Sequence, residues 1–227
     1  MKKRLFLAFA GFALFSGAMA QSSGVGLRLG GNYSTLSGYE DFEPSSKILP
    51  SMGLTGFLQG KGNWSFSADL LFSQRGVEYK KVKSDSLQTE TELYDETLNY
   101  IEIPVLFHYS FLSDSSAFRP RVFFGPSLNV RASSNRNLSY KKVNAADSVL
   151  LESTADQDLK NTYTPLDYGF IVGAGVTYKI NSKFVATADV RLNYGLMDIR
   201  EYLSESSPSI RNRNYCFHIG VYYLLGQ

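Results

Sequence analysis

Residues 215–225 read Tyr215-Cys216-Phe217-His218-Ile219-Gly220-Val221-Tyr222-Tyr223-Leu224-Leu225. Tyr215, Phe217, Ile219, Val221, Tyr223 and Leu225 share one register; Cys216, His218, Gly220 and Tyr222 share the other. A period of two is the period of a β-strand, whose successive side chains leave opposite faces. The run also has the length, ~9–11 residues, that a tilted strand needs to cross a bilayer.

The same alternation recurs seven times upstream. The seventh run sets Phe184, Ala186, Ala188, Val190, Leu192 and Tyr194 against Thr187, Asp189, Arg191 and Asn193. The sixth sets Tyr168, Phe170, Val172, Ala174, Val176 and Tyr178 against Gly169, Gly173, Gly175, Thr177 and Lys179. The fifth covers Arg121 to Arg131, with Val122, Phe124, Leu128 and Val130 on the apolar side. The fourth covers Tyr100 to Phe111, with Ile101, Ile103, Val105, Phe107 and Tyr109 opposing Glu102, Pro104 and His108. The third is Trp64, Phe66, Ala68, Leu70 and Phe72 against Ser65, Ser67, Asp69, Ser73 and Arg75. The second, Met52 to Gln59, is the weakest, because Phe57 breaks its pattern. The first runs from Gly24 to Leu36, with Arg28 and Asn32 on its polar side.

The links alternate as well. Gly60-Lys61-Gly62-Asn63, Ser113-Asp114-Ser115-Ser116 and Asn181-Ser182-Lys183 are short, with the residue types that tight hairpins demand. The others, near 37–50, 80–97, 134–164 and 197–213, are long and polar. Short periplasmic turns and long outer loops are the rule for outer-membrane barrels, and an even strand number returns both termini to one side. The expected fold is all-β: an eight-stranded antiparallel up-and-down transmembrane β-barrel with short periplasmic turns and long extracellular loops.

The first residues read as an export signal. Lys2, Lys3 and Arg4 precede an apolar run, Leu5 to Phe15, too short to span a bilayer as a helix, and Ala18-Met19-Ala20 fits a cleavage site. Residues 1–20 are expected to be a removed signal peptide and 21–227 one outer-membrane β-barrel domain. Gln21 is not the cysteine of a lipoprotein, and the single cysteine, Cys216, permits no internal disulfide. The chain holds 23 basic and 21 acidic residues; losing the three signal cations leaves 20 against 21. That balance gives no electrostatic case for nucleic acid.

Alternation alone does not say which face is outside, and a soluble ligand-binding barrel alternates too. Composition favours the membrane. The polar faces are rich in Gly and Ser, with charges of both signs: Asp69, Arg75, Glu102, Arg121, Arg131, Asp189 and Arg191. The apolar faces end in aromatics, Trp64, Tyr109, Tyr168, Tyr178, Phe184, Tyr194, Tyr215 and Tyr223, which reads as two interfacial girdles. Eight strands leave a bore only wide enough for side chains to fill. Inward charges there must pair, so Asp69, Glu102 and Asp189 are expected to neutralise Arg75, Arg121, Arg131 or Arg191 across the lumen.

Five segments resemble a known family. They are Gly26-Leu27-Arg28-Leu29-Gly30-Gly31-Asn32-Tyr33-Ser34, Leu70-Leu71-Phe72-Ser73-Gln74-Arg75-Gly76, Asn99-Tyr100-Ile101-Glu102-Ile103-Pro104-Val105-Leu106, Gly125-Pro126 and Arg191-Leu192-Asn193-Tyr194-Gly195-Leu196. The chain resembles the PorT-like outer membrane protein beta-barrel domain family of Bacteroidetes, with the Tyr-Ile-Glu-Ile-Pro segment the most specific piece. The resemblance implies an eight-stranded barrel without a shared enzymatic activity; one branch takes part in protein secretion. Such barrels often end on an aromatic read by the insertion machinery, whereas this chain ends Leu225-Gly226-Gln227, leaving Tyr223 for that role.

Proline cannot donate to a ladder, so Pro104 marks a bulge or a gap in pairing, expected opposite Gly125 or Ser127 rather than Pro126. The two histidines, His108 and His218, lie on polar faces and read as buried structural groups rather than a catalytic Ser–His arrangement. No zinc-ligand spacing, phosphate loop or nucleophile elbow is present. Glu90, Glu92, Asp95, Glu96, Glu152, Asp156 and Asp158 make the long links acidic without the spacing of a calcium loop. Alternation persists near Val77–Lys83 and Leu138–Val149, so hairpins are expected to project beyond the membrane there.

The expected function is a non-enzymatic, monomeric outer-membrane barrel with a structural or interaction role, without cofactor or metal. Its expected partners are outer-membrane lipid and lipopolysaccharide, the barrel-insertion machinery, and envelope or secretion proteins. A small passive porin and a lipid-modifying enzyme are the alternatives.

Overall fold

The computed structural model describes residues 22–37, 44–60, 62–85, 88–112, 116–144, 149–159, 162–199 and 210–225. The expected signal peptide and the final two residues lie outside them. Nine strands are described: β1 (Ser22–Ser37), β2 (Ser45–Gln59), β3 (Trp64–Ser84), β4 (Gln88–Ser110), β5 (Phe118–Asn144), β6 (Val149–Asp158), β7 (Leu166–Lys179), β8 (Phe184–Gly195) and β9 (Arg211–Leu225). No helix among the described residues is long and apolar enough to cross a membrane.

All pairings are antiparallel. The order is β4-β3-β2-β1-β9-β8-β7-β5-β6, and β4 also pairs with β5. That last pairing closes eight strands into a ring. β6 stands outside the ring. The first half of β5 pairs with β7 from Phe118 to Val130, its second half pairs with β6 from Asn135 to Val143, and its other edge lies along β4.

The eight expected strands are therefore all present, and the ninth is a correction. Two of the expected long links, 80–97 and 134–164, are mostly ladder. β3 and β4 remain paired out to Ser84 and Thr89, and β4 and β5 out to Gln88 and Asn144. In Gln88-Thr89-Glu90-Thr91-Glu92 both faces are polar. A strand wetted on both sides carries no apolar period, although its threonines suit a pleated backbone. The result is a sheet of β3, β4, β5 and β6 projecting past the ring at the long-loop end.

Within the ring the faces separate cleanly. Leu27, Leu54, Leu70, Phe124, Phe170, Val190 and Ile219 are exposed on the outside, whereas Arg28, Thr55, Asp69, Arg121, Asp189 and His218 are buried inside. An exterior this apolar is what hydrocarbon requires, and closure leaves no unpaired edge within it. Phe57, which breaks the apolar pattern of β2, faces inward, its ring 5.6 Å from that of Tyr222.

Pro104 lies opposite Ser127. It makes a gap rather than a bulge: pairing resumes at Phe107 and Phe124 without a change of register, and the register shift in this pair of strands falls at Asn99 and Tyr100. A Cβ at Gly125 would stand 2.0 Å from the Val105 carbonyl oxygen, so the close approach of β4 and β5 there requires glycine.

Candidate functional site

Buried polar and charged side chains line the lumen. Near its middle, five charged groups meet. Asp189 accepts from Arg28 and from Arg121 Nη2 at 2.7 Å, and lies 3.6 Å from Arg191. Asp69 lies 3.0 Å from Arg191 and 3.4 Å from Arg28, and accepts from Thr55 Oγ1 at 2.5 Å. Arg28 also donates to the Tyr222 hydroxyl at 2.6 Å.

A second cluster lies toward the long-loop end. Arg75 donates to Glu102 at 2.5 Å and stands 3.7 Å from Asp167. Asn193 donates to Glu102 at 3.0 Å and Asn212 to Asp167 at 2.7 Å. Four buried guanidiniums thus meet four buried carboxylates, a formal balance of zero. Burying that many ions is tolerable only with such matching.

Of the lumen charges read from the sequence, the structure brings together Asp69, Asp189, Arg121 and Arg191 in one cluster, and Arg75 with Glu102 in the other. Arg131 goes elsewhere. It is half-buried at the loop end, donating to the carbonyls of Thr164 at 3.1 Å and Tyr163 at 2.5 Å and to Ser134 Oγ at 2.6 Å. Sequence reasoning left out Arg28 and Asp167. The signal was present, since each sits one position from an outward apolar residue, Leu27 or Leu29 and Tyr168.

Between the clusters, Leu106, Phe123 and Ile171 form a small buried apolar patch. The guanidinium carbons of Arg121 and Arg191 lie 5.9 and 5.5 Å from the Phe123 ring centre. Two Ser–His pairs lie inside: Ser67 Oγ is 2.8 Å from His108 Nε2, and Ser51 Oγ is 3.1 Å from His218 Nε2. Neither His Nδ1 has a hydrogen-bond partner among the described residues. A nucleophile pair needs that nitrogen oriented by a third group and needs access to substrate. These pairs are buried and face the bore, so their geometry is that of packing groups. Cys216 is a buried free thiol. Among the described residues no three His, Cys, Asp or Glu are placed to hold a metal ion.

The long-loop end of the bore is capped. Val77, Tyr79, Leu98, Tyr100, Leu159, Tyr163, Ile199 and Ile210 form one buried apolar cluster. The segment after β6 enters it, tied by Thr164 N to the Ile199 carbonyl at 2.6 Å and by Ile199 N to the Ile210 carbonyl at 2.9 Å. At its heart, fully buried Glu96 accepts from Tyr79 at 3.0 Å, from Arg136 Nε at 2.7 Å and from the Tyr163 hydroxyl. Burial works against the Arg136 charge, but Glu96 outweighs it and raises the guanidinium above its ordinary range. Glu96→Ala removes the acceptor for all three donors. The expected result is faster amide hydrogen exchange at Thr164 and Ile199 and a stability loss of about 1–3 kcal/mol, measured by exchange mass spectrometry and urea unfolding.

The outward aromatics form two bands. Trp64, Tyr109, Tyr178, Phe184 and Tyr223 lie at the short-turn end, with Trp64–Tyr109 and Phe184–Tyr223 ring centres 4.9 and 5.5 Å apart. Tyr168, Tyr194 and Tyr215 lie at the other end, joined by Tyr33, 6.5 Å from Tyr215. Tyr215 and Tyr223 are eight residues apart on β9, Tyr168 and Tyr178 ten apart on β7. At ~3.3 Å per residue and a tilt of ~40°, the bands stand ~20–25 Å apart, close to the apolar belt of outer-membrane barrels.

Among solved structures, the chain is similar to Neisserial surface protein A, with 16% identity over 88% of this chain and 96% of that one and a TM-score of 0.44. It is also similar to the outer membrane protein OprG from Pseudomonas aeruginosa, with 11% identity over 93% and 99% and a TM-score of 0.46. A third is Ail, the attachment invasion locus protein of Yersinia pestis, with 11% identity over 90% and 99% and a TM-score of 0.39. No curated protein matches the chain. The sequence pattern of the outer membrane protein beta-barrel domain family matches residues 19–201, a span that holds β1 through β8. The chain belongs to the outer membrane protein beta-barrel domain family.

Proposed function

We propose that this barrel performs no chemistry of its own and serves as a structural or interaction protein of the outer membrane, with its contacts made by the projecting sheet. The observation that carries this reading is the sealed bore. Among the described residues, two ion clusters, an apolar patch and an apolar cap occupy it. By the family rule, the short turns face the periplasm and the β3–β6 sheet faces outward. That sheet is built rather than floppy, so it presents a fixed surface at low entropic cost.

In this reading the girdle aromatics rest among outer-membrane lipid and lipopolysaccharide, the chain arrives by a cleaved signal peptide and the insertion machinery, and it is a monomer. Envelope or secretion proteins are its partners at the sheet; the secretion link rests on the PorT-like resemblance alone. The passive-porin alternative predicts large stable conductance in planar bilayers; this reading predicts none. A lipid-modifying enzyme would change the acyl pattern of lipid A between parent and deletion strains, and no change is expected. Crosslinking in intact cells through residues placed on β6 is expected to trap a discrete partner; uniform failure at that strand removes the interaction role from the sheet.

A further inference from the structure

Every strand of the ring is paired along both edges, whereas β6 is paired along one. From Leu151 to Asp158 it lies in unbroken register on β5, and among the described residues no strand lies along its other edge. The side chains from Leu151 to Asp158 are all exposed, so neither face of β6 is covered. A free edge offers a row of open N–H and C=O groups to another extended chain. We infer that the outer edge of β6 is a strand-addition site, and that its occupant is an extended segment of another protein with cationic residues at alternate positions and apolar residues between them. This rests on the reading of the projecting sheet as the contact surface, and gives that surface a mode of binding and a partner chemistry.

Exposed edges are ordinarily blunted by lysine, proline, bulges or shortness. The ten residues Val149–Asp158 hold no lysine and no proline. Their one irregularity falls at the start, between the Lys142–Leu151 and Val143–Val149 pairs. What the strand carries instead is acid on one face. Glu152 and Asp156 share that face with Thr154; Leu151 and Ala155 lie on the opposite one. β5 already complements this pattern along the paired edge. Lys141 stands opposite Glu152, Leu138 opposite Ala155, and Asn137 opposite Asp156, to which it donates at 3.0 Å. A strand on the outer edge meets the same two faces. Cations at alternate positions suit the first, and apolar residues suit the second.

A second copy of this chain does not meet that requirement. Paired antiparallel with itself about a two-fold axis, β6 keeps residue parity, so the face of Glu152 and Asp156 continues into the same acidic face. Copies inserted through one membrane also run β6 in the same direction, which excludes that pairing between them. The carboxylates therefore guard the edge against its own kind and leave it open to a basic strand.

The test uses the refolded full-length mature chain in nanodiscs of a neutral phospholipid. The probe is a ten-residue peptide alternating lysine with valine, and its control has glutamate at each lysine. Saturable one-to-one binding of the lysine peptide, at least ten-fold tighter than the control and weakened by salt, is the expected result. Residue-resolved hydrogen exchange reads the mode: the β6 amides that point away from β5 are expected to slow at least ten-fold, and those of β9 to stay unchanged. Glu152→Lys with Asp156→Lys alters two exposed side chains. It is expected to keep the folded electrophoretic mobility of the barrel, to weaken the lysine peptide at least ten-fold and to strengthen the glutamate peptide. Binding without protection of the β6 amides, equal affinity for the two peptides, unchanged preference in the double variant, or a dimer joined through β6 overturns strand addition by a basic segment. If crosslinking through β6 in intact cells still traps a partner in that case, the sheet remains the contact surface and only the mode falls.

Discussion

Asp189→Asn is expected to lower the stability of the barrel by about 3–5 kcal/mol, the cost of leaving buried charge without its partner. The Asp189 side chain is fully buried and is the shared acceptor of Arg28, Arg121 and Arg191. Its loss leaves three guanidiniums in one cluster facing Asp69 alone. Asparagine keeps the volume, so the effect is electrostatic rather than a cavity. Urea unfolding of the refolded protein in lipid vesicles measures it as a shift of the midpoint at unchanged slope. Adding Arg121→Met to Asp189→Asn is expected to recover part of the loss, because it removes one of the stranded cations. A single variant within about 1 kcal/mol of the parent would mean that water hydrates the bore, and the sealed-lumen reading would give way to the porin.

Ile219→Arg is expected to cost about 2–4 kcal/mol, and Val82→Arg no more than about 0.5 kcal/mol. The two positions are equally exposed, 51% and 52%. They differ in what they are exposed to. Ile219 lies four residues from each of Tyr215 and Tyr223, midway between the aromatic bands. Val82 lies on the part of β3 that projects past the ring. Accessibility to a probe does not distinguish hydrocarbon from water, but the desolvation of a guanidinium does. Unfolding of both variants in vesicles reads the difference directly. Equal costs at the two sites would place the outer face of the ring in water and remove the membrane from the account.

The parts of the fold legible in the sequence are those with one apolar and one polar face. The β9 alternation from Tyr215 to Tyr223, and its repeats in β3, β4, β5, β7 and β8, give strand, register and facing at once. The projecting parts of β3–β5 were only partly visible, through traces of alternation, and β6 was read as part of a long link. Water on both faces removes the hydrophobic period and leaves the ladder to hold the strand. Arg28 stood on the polar side of the first run and Asp167 was not singled out; nothing local marks them as partners of Asp189 and Arg75. Arg131 obeyed the same parity as Arg121, yet its position near the loop end gave it the carbonyls of Tyr163 and Thr164 instead.

What the sequence by itself determined, then, is a closed eight-strand ring with an apolar outside and a charged inside. Period-two patterning, strand length and link length are local properties, and a bilayer allows few ways to satisfy them. Only the tertiary structure decided which charges meet and that Glu96 and Tyr163 cap the bore. Those contacts join residues far apart in the chain, as with Arg28 and Asp189, 161 positions apart. Their distances follow from how the closed ring sets each strand's height against the others, and no local pattern encodes that.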